Sequence, residues 1–211
     1  MLQTPGKFIV IEGLDGSGKS TQARLLAEKL TAAGRRAHCT AEPTSSALGG
    51  LIRDSLAGAY PRSVEEIAAL FLADRIAHNV DPSRGFGRWL DAGEDVVCDR
   101  YYHSSFAYQG SETDLNWVID MHLQCPAIRR PDLCVFLDLE PAGAVARLDT
   151  GRDTREIYEN ERKLAQAREK YFRVFQLLAR RGEAIAVVDA AGDMETVAEA
   201  VWTRVREVCG L

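Results

Sequence analysis

From Ile9 to Thr21 the chain reads IVIEGLDGSGKST. An apolar run ends at a glycine, and Gly13 to Ser20 fit the pattern G-x-x-x-x-G-K-[ST]. Such a stretch is a strand, a tight loop and the first turn of a helix. The glycines let backbone N–H groups turn inward around oxyanions, and the helix N-terminus adds partial positive charge. Lys19 is placed to reach β- and γ-phosphates, and Ser20 to ligate Mg²⁺. Gly13, Gly16, Ser17, Gly18 and Thr21 complete the candidate ATP contacts. The motif says that polyphosphate is held, not what becomes of it. Asp15 puts a negative charge inside the loop and calls for a separate explanation.

The rest of the chain repeats the alternation that the loop begins. Apolar, strand-like runs fall at Phe8–Glu12, Arg36–Ala41, Asp95–Cys98, Leu133–Leu139 and Ala184–Val188. Helical spacing falls at Lys19–Leu30, Val64–His78, Asp114–Leu123, Glu156–Arg181 and Met194–Val208. This order predicts an α/β fold: a five-stranded parallel sheet with helices on both faces. The near-continuous apolar run LCVFLDL suits a strand covered on both sides. In such folds ligands sit at the carboxyl ends of the strands. GLDGSGKS, EPTSS, DRYYHSS and DAAGD each follow a strand, so they are expected to converge on one site. With 211 residues, no internal repeat and no linker, residues 1–211 read as one domain.

Composition narrows the partners. A net charge of −5 and a pI near 5.5 argue against a general nucleic-acid binder. No apolar run has transmembrane length and the N-terminus lacks a signal-peptide layout, which predicts a cytoplasmic protein without membrane contact. The five cysteines form no CxxC pair. Cys39, Cys98 and Cys134 lie in strand-like runs and read as small buried hydrophobes in a reducing compartment. His38, His78, His103 and His122 show no metal-ligand spacing. No NKxD occurs, which weakens a GTPase-switch reading.

Asp99-Arg100-Tyr101 closes a strand, and the run continues as DRYYHSSFAYQG. That run resembles the DRY-x-x-S-x-x-AYQG segment of thymidylate kinases. The resemblance extends over nearly the whole chain: IEGLDGSGKST to the phosphate loop, EPT (Glu42–Thr44) to the EP turn, LFLADR (Leu70–Arg75) to the F-x-x-x-R helix. RPDLCVFLDL resembles the RPD strand and REIYEN (Arg155–Asn160) the end of the lid. It implies a three-layer P-loop kinase fold with a small mobile lid at about 147–160. The implied reaction is transfer of the γ-phosphoryl group of Mg-ATP to dTMP, giving dTDP and ADP, in a homodimer. A monophosphate acceptor suits such chemistry, because its second pKa of about 6 leaves an anionic oxygen near neutral pH. The difficulty is bringing two anions together, which cationic clamps and Mg²⁺ solve.

The resemblance assigns further residues. Arg100 bridges acceptor and donor phosphates, and Asp99 either holds Arg100 or reaches Mg²⁺ through water. Phe71 stacks on thymine and Arg75 donates to its O4; their spacing of four puts them on one helix face. By residue type alone, Phe71 reads as a core side chain. Tyr108 crowds the sugar 2′ position. Ser104, Ser105 and Gln109 lie near the acceptor. Asp15 accepts a hydrogen bond from the acceptor's 3′-hydroxyl, which gives that awkward charge a use. Asp74 reads as exposed, and Tyr102 and His103 as packing or surface residues.

The chain also departs from the family pattern. Its phosphate loop has no basic residue at the variable positions, so the lid arginines Arg152 and Arg155 are expected to supply that charge, Arg152 first. Ala41 stands where Arg often precedes the EP pair, and Thr44-Ser45-Ser46 replace glycines. Arg53 is a candidate to face the acceptor phosphate. Thr150-Gly151 replaces a common Arg-Gly pair, which leaves Arg147 and the loop Ala190–Asp193 as candidates to border adenine. Two rivals follow. One is another nucleotide or nucleoside kinase, with Glu12 as a possible base for a hydroxyl acceptor; the other is a nucleotide-binding regulator without turnover.

Overall fold

The computed structural model describes residues 5–148 and 161–211. Its centre is β1 (Phe8–Gly13), which is buried along its whole length. β3 (Asp95–Asp99) pairs on one side of it and β4 (Leu133–Asp138) on the other. β2 (Ala37–Ala41) and β5 (Ile185–Asp189) form the edges. Every pairing is parallel, in the order β2-β3-β1-β4-β5. The chain crosses over at β1, so the strand ends flanking it open a crevice there.

The helices are α1 (Lys19–Ala32), α2 (Ala47–Leu56), α3 (Val64–Val80), α4 (Gly87–Asp91), α5 (Tyr102–Ala107), α6 (Leu115–Leu123), α7 (Pro141–Leu148), α8 (Glu161–Ala179) and α9 (Met194–Cys209). Local chemistry sets most of their starts. Ser63 and Glu66 form a reciprocal capping box at α3. Ser46, Asp114 and Asp193 cap α2, α6 and α9. α8 buries Leu164, Tyr171, Phe175 and Leu178 as one stripe. Phe136 of β4 packs against Tyr171 and Phe175, with ring centroids 4.9 and 5.1 Å apart. Each such ring contributes about 1.5–3 kcal/mol by leaving water.

The strand and helix expectations hold to within a few residues, with the expected start of the long helix at Glu156 lying outside the described residues; α2, α4 and α5 are additional to them. α2 carries Gly49 and Gly50, which reads against a helix. A Cβ at Gly49 would lie 1.8 Å from the Thr44 carbonyl oxygen. The glycine is what lets the turn after β2 lie directly on this helix. Cys98 and Cys134 are buried as expected, but Cys39 is exposed, because β2 is an edge strand with one face uncovered. No described helix is long and apolar enough to cross a membrane.

Candidate active site

The phosphate loop joins β1 to α1. Gly18, at φ 92°, is the residue before the helix, and nothing lies within 4 Å of where its Cβ would be. A side chain would be strained there and would fill space that an oxyanion needs. The Ser17 hydroxyl is buried and has no partner among the described residues. Lys19 folds back along the loop, donating from Nζ to the Leu14 carbonyl at 2.6 Å. Burial, followed by the charge of Arg100, holds its pKa below the usual lysine value, against the opposing pull of Asp15, Asp99 and Glu12.

Arg100 follows β3 and is the single non-glycine residue with positive φ, 68°, among those described. Its conformation is fixed from both sides: Arg100 N donates to Ile11 O at 3.0 Å, and Tyr101 N donates to Glu12 Oε1 at 2.9 Å. The guanidinium then reaches Asp15 through Nη2 and Ser104 Oγ through Nη1, the latter at 3.1 Å, and lies 5.8 Å from the Tyr108 ring centroid. Such backbone strain costs about 1–3 kcal/mol and is a recurrent mark of functional positions. Asp15 also lies 3.5 Å from Lys19 Nζ. The loop carboxylate therefore sits between two cations.

Asp99 accepts a hydrogen bond from the Ser20 hydroxyl, while its Oδ1 is buried without a partner among the described residues. Of the two roles left open for Asp99, this contact favours the one beside Ser20 over one holding Arg100.

Two cavities meet here. One runs along the loop and is lined by Gly16, Gly18, Lys19, Ser20, Thr21 and Asp99. The other is lined by Phe71, Arg75, Ser104, Tyr108 and Gln109. Asp15, Pro43 and Arg100 line both. A smaller recess continues the first past Ser17 to Gly192 and Asp193. Arg147 closes that end, donating to the Ala190 and Gly192 carbonyls at 3.0 and 3.3 Å. Arg53 lines the second cavity and donates to the Thr44 carbonyl at 2.7 Å. Ser105 lies behind the cavity, accepting from Arg75 Nη1 at 3.2 Å. Arg152, Arg155 and the lid tip lie outside the described residues.

Two sequence expectations change, and of the packing and surface roles open to Tyr102 and His103 the packing role holds. Asp74 is buried, not exposed: it accepts from Thr44 N, Thr44 Oγ1 and Ser46 Oγ at 2.5–2.9 Å. The hydroxyl residues that replace glycines after the EP pair are thus bound to a carboxylate one helix away. Tyr102 and His103 are fully buried and share Glu183, at 2.9 and 3.2 Å. Glu12 is fully buried too and lines neither cavity. It accepts from Tyr101 N, Ser104 N, Ser104 Oγ and Tyr171 Oη at 2.8–3.1 Å. A side chain so committed anchors the loops and is out of reach of an acceptor hydroxyl.

The family model described as thymidylate kinase matches residues 11–201. Among curated proteins, a probable thymidylate kinase of Pyrococcus horikoshii is 36% identical, over 98% of this chain and 99% of its own. A probable thymidylate kinase of Thermococcus onnurineus is 37% identical, over 90% and 92%. A thymidylate kinase of Solidesulfovibrio magneticus is 36% identical, over 92% and 96%.

Proposed function

The chain belongs to the thymidylate kinase family, and from that premise we propose how its two cavities divide the reaction. It is an ATP-dependent nucleoside monophosphate kinase that converts dTMP and ATP to dTDP and ADP, and we take residues 1–211 to act as one domain. The observation that carries the division is the shared wall of Asp15, Pro43 and Arg100 between the loop cavity and the Phe71 cavity. Two polyanions approaching from opposite sides meet at one arginine.

ATP lies along the loop, with its phosphates on the N-terminus of α1 and on Lys19. The adenine lies toward Arg147 and residues 190–193. dTMP lies in the second cavity, thymine against Phe71 and Arg75, deoxyribose beside Tyr108. Its phosphate lies at Arg100, with Arg53 nearby. Asp15 receives the 3′-hydroxyl. Arg100 holds the attacking and transferring groups together, which makes the step effectively unimolecular. Positive charge already in place costs no reorganisation when charge shifts toward ADP. Arg152 and Arg155 are assigned to the transferring phosphoryl group. The acceptor oxygen is already ionised, so no general base is assigned, and the commitments of Glu12 disfavour a nucleoside hydroxyl as acceptor.

Mg²⁺ fits the pair Ser20 and Asp99: a hydroxyl, a carboxylate and one unpartnered buried oxygen stand together. When bound there, the ion neutralises β- and γ-phosphate oxygens. Chelation with EDTA is expected to abolish turnover, and added Mg²⁺ to restore it; undiminished turnover in EDTA would remove the metal from the scheme. We also propose a homodimer in the cytoplasm. Support for the dimer comes from exposed Leu51, Val80 and Trp117 on α2, α3 and α6, of which α3 packs against the other two. Light scattering at the monomer mass would overturn it.

The acceptor reading is tested by offering Mg-ATP with dTMP, dUMP, dCMP, dGMP, AMP or thymidine and following ADP release. The expected order has dTMP first. Preference for thymidine, or no turnover with any acceptor, would overturn it.

A further inference from the structure

Arg75 is 1% exposed yet borders the acceptor cavity, so most of its donors point into protein. Nε donates to Glu42 Oε2 at 2.7 Å, and Nη2 lies 2.7 Å from the same oxygen. Nη1 is shared between Ser105 Oγ at 3.2 Å and His122 Nε2 at 2.5 Å. A guanidinium carries five N–H groups in a rigid plane. Among the described residues these contacts leave one N–H, on Nη2, for a ligand. Which way it faces depends on the partners that fix the plane.

His122 is the partner that nothing above has used. It sits on α6, fully buried, with the Phe106 ring 5.5 Å away. Its Nδ1 lies 2.7 Å from the Val118 carbonyl oxygen, an acceptor, so Nδ1 carries the proton and donates. Nε2 is then a bare lone pair and accepts from Arg75. Burial, then the charge of Arg75, pushes the His122 pKa down to about 3, so the ring stays neutral throughout the range in which the enzyme works. A protonated ring would present an N–H to a cation.

We propose that His122 is a positioning residue for acceptor specificity: as a neutral acceptor it fixes the guanidinium plane of Arg75, leaving a single N–H for a carbonyl oxygen at the pyrimidine 4-position. A 4-amino group offers that N–H a donor in place of an acceptor. The base is thus discriminated by a bond whose direction is set from α6, on the far side of the arginine from Glu42. This inference rests on the dTMP reading and adds a residue to it.

The test compares His122→Asn with His122→Gln. The shorter amide keeps a donor for Val118 but has no acceptor at the Nε2 position; the longer amide restores one. For His122→Asn, KM for dTMP is expected to rise about tenfold, the scale of one lost oriented hydrogen bond. KM for ATP should stay within about twofold and kcat within about threefold, and the dTMP-over-dCMP ratio of kcat/KM should fall about tenfold. His122→Gln should recover most of both. The rise in melting temperature on adding dTMP should shrink in His122→Asn, while that on adding a non-hydrolysable ATP analogue should not. If both KM values move together, if the dTMP-over-dCMP ratio is unchanged, or if Gln fares no better than Asn, the positioning role fails. Wild-type turnover of dTMP separates that outcome from failure of the acceptor reading.

Discussion

Arg100→Ala is expected to lower kcat at saturating dTMP and ATP by about 10³-fold. Among the described residues its guanidinium is the one cation lining both cavities, tied to Asp15 on one side and Ser104 on the other. Burial opposes its charge, and Asp15, with Tyr108, Tyr171 and Glu12, more than compensates, so its pKa is raised well above the ordinary arginine value. Removing it leaves two phosphates to approach without the charge that screens their repulsion. Alanine at φ 68° keeps the backbone cost that arginine already bears, so the comparison isolates the side chain. Arg100→Lys should recover only a small part, because an ammonium cannot span two partners as a planar fork does. A kcat within a few-fold of wild type for Arg100→Ala would remove this residue from the centre of the mechanism.

The second large effect is on stability. Glu12→Ala removes the acceptor for two backbone N–H groups and two hydroxyls in a site with no access to water. Buried donors left unpaired cost about 1–3 kcal/mol each, and partial relaxation leaves a net loss of about 4 kcal/mol. For a chain of this size that corresponds to a melting temperature lower by about 12 °C. Glu12→Gln should lose less, since one oxygen still accepts while the amide N–H₂ meets a donor. A base would behave the other way round. Glutamine would then abolish turnover at unchanged melting temperature, and alanine would leave the thermal transition in place. That pattern would return Glu12 to chemistry and revive the hydroxyl-acceptor rival.

Much of the fold can be read from the chain because its signals are local. β1 and β4 are buried on both faces, so they appear as largely apolar runs, and Gly13 and Gly34 punctuate the ends of β1 and α1. The loop, Arg100 and the Phe71–Arg75 pair are also local patterns, each confined to one short segment. What stays hidden depends on contacts between distant segments. α2 is obscured by Gly49, whose reason is the Thr44 carbonyl of the preceding turn. Asp74 beside Arg75 reads as a solvated pair, yet its partners Thr44 and Ser46 lie 30 and 28 residues earlier. His122 shows no recognisable spacing, since it meets Arg75 across 47 residues and two helices. Glu12 shows its carboxylate in the sequence but not the Tyr171 hydroxyl, 159 residues on, from which it accepts a hydrogen bond. A buried acid with no visible partner in sequence is easily mistaken for a reactive one.

The wall between the cavities has a bearing on how such an enzyme can diversify. Asp15, Pro43 and Arg100 face both compartments, whereas Phe71, Arg75 and Gln109 face one and Ser20 and Thr21 the other. Substitutions at the outer ends can retune one substrate while the other is held constant, so their effects should be separable and close to additive. On the proposed division of substrates, substitutions in the wall act on both cavities in a single step. On that division, a lineage exploring new acceptor bases is expected to vary the residues of α3 that face the second cavity, and to keep the three at which the cavities touch.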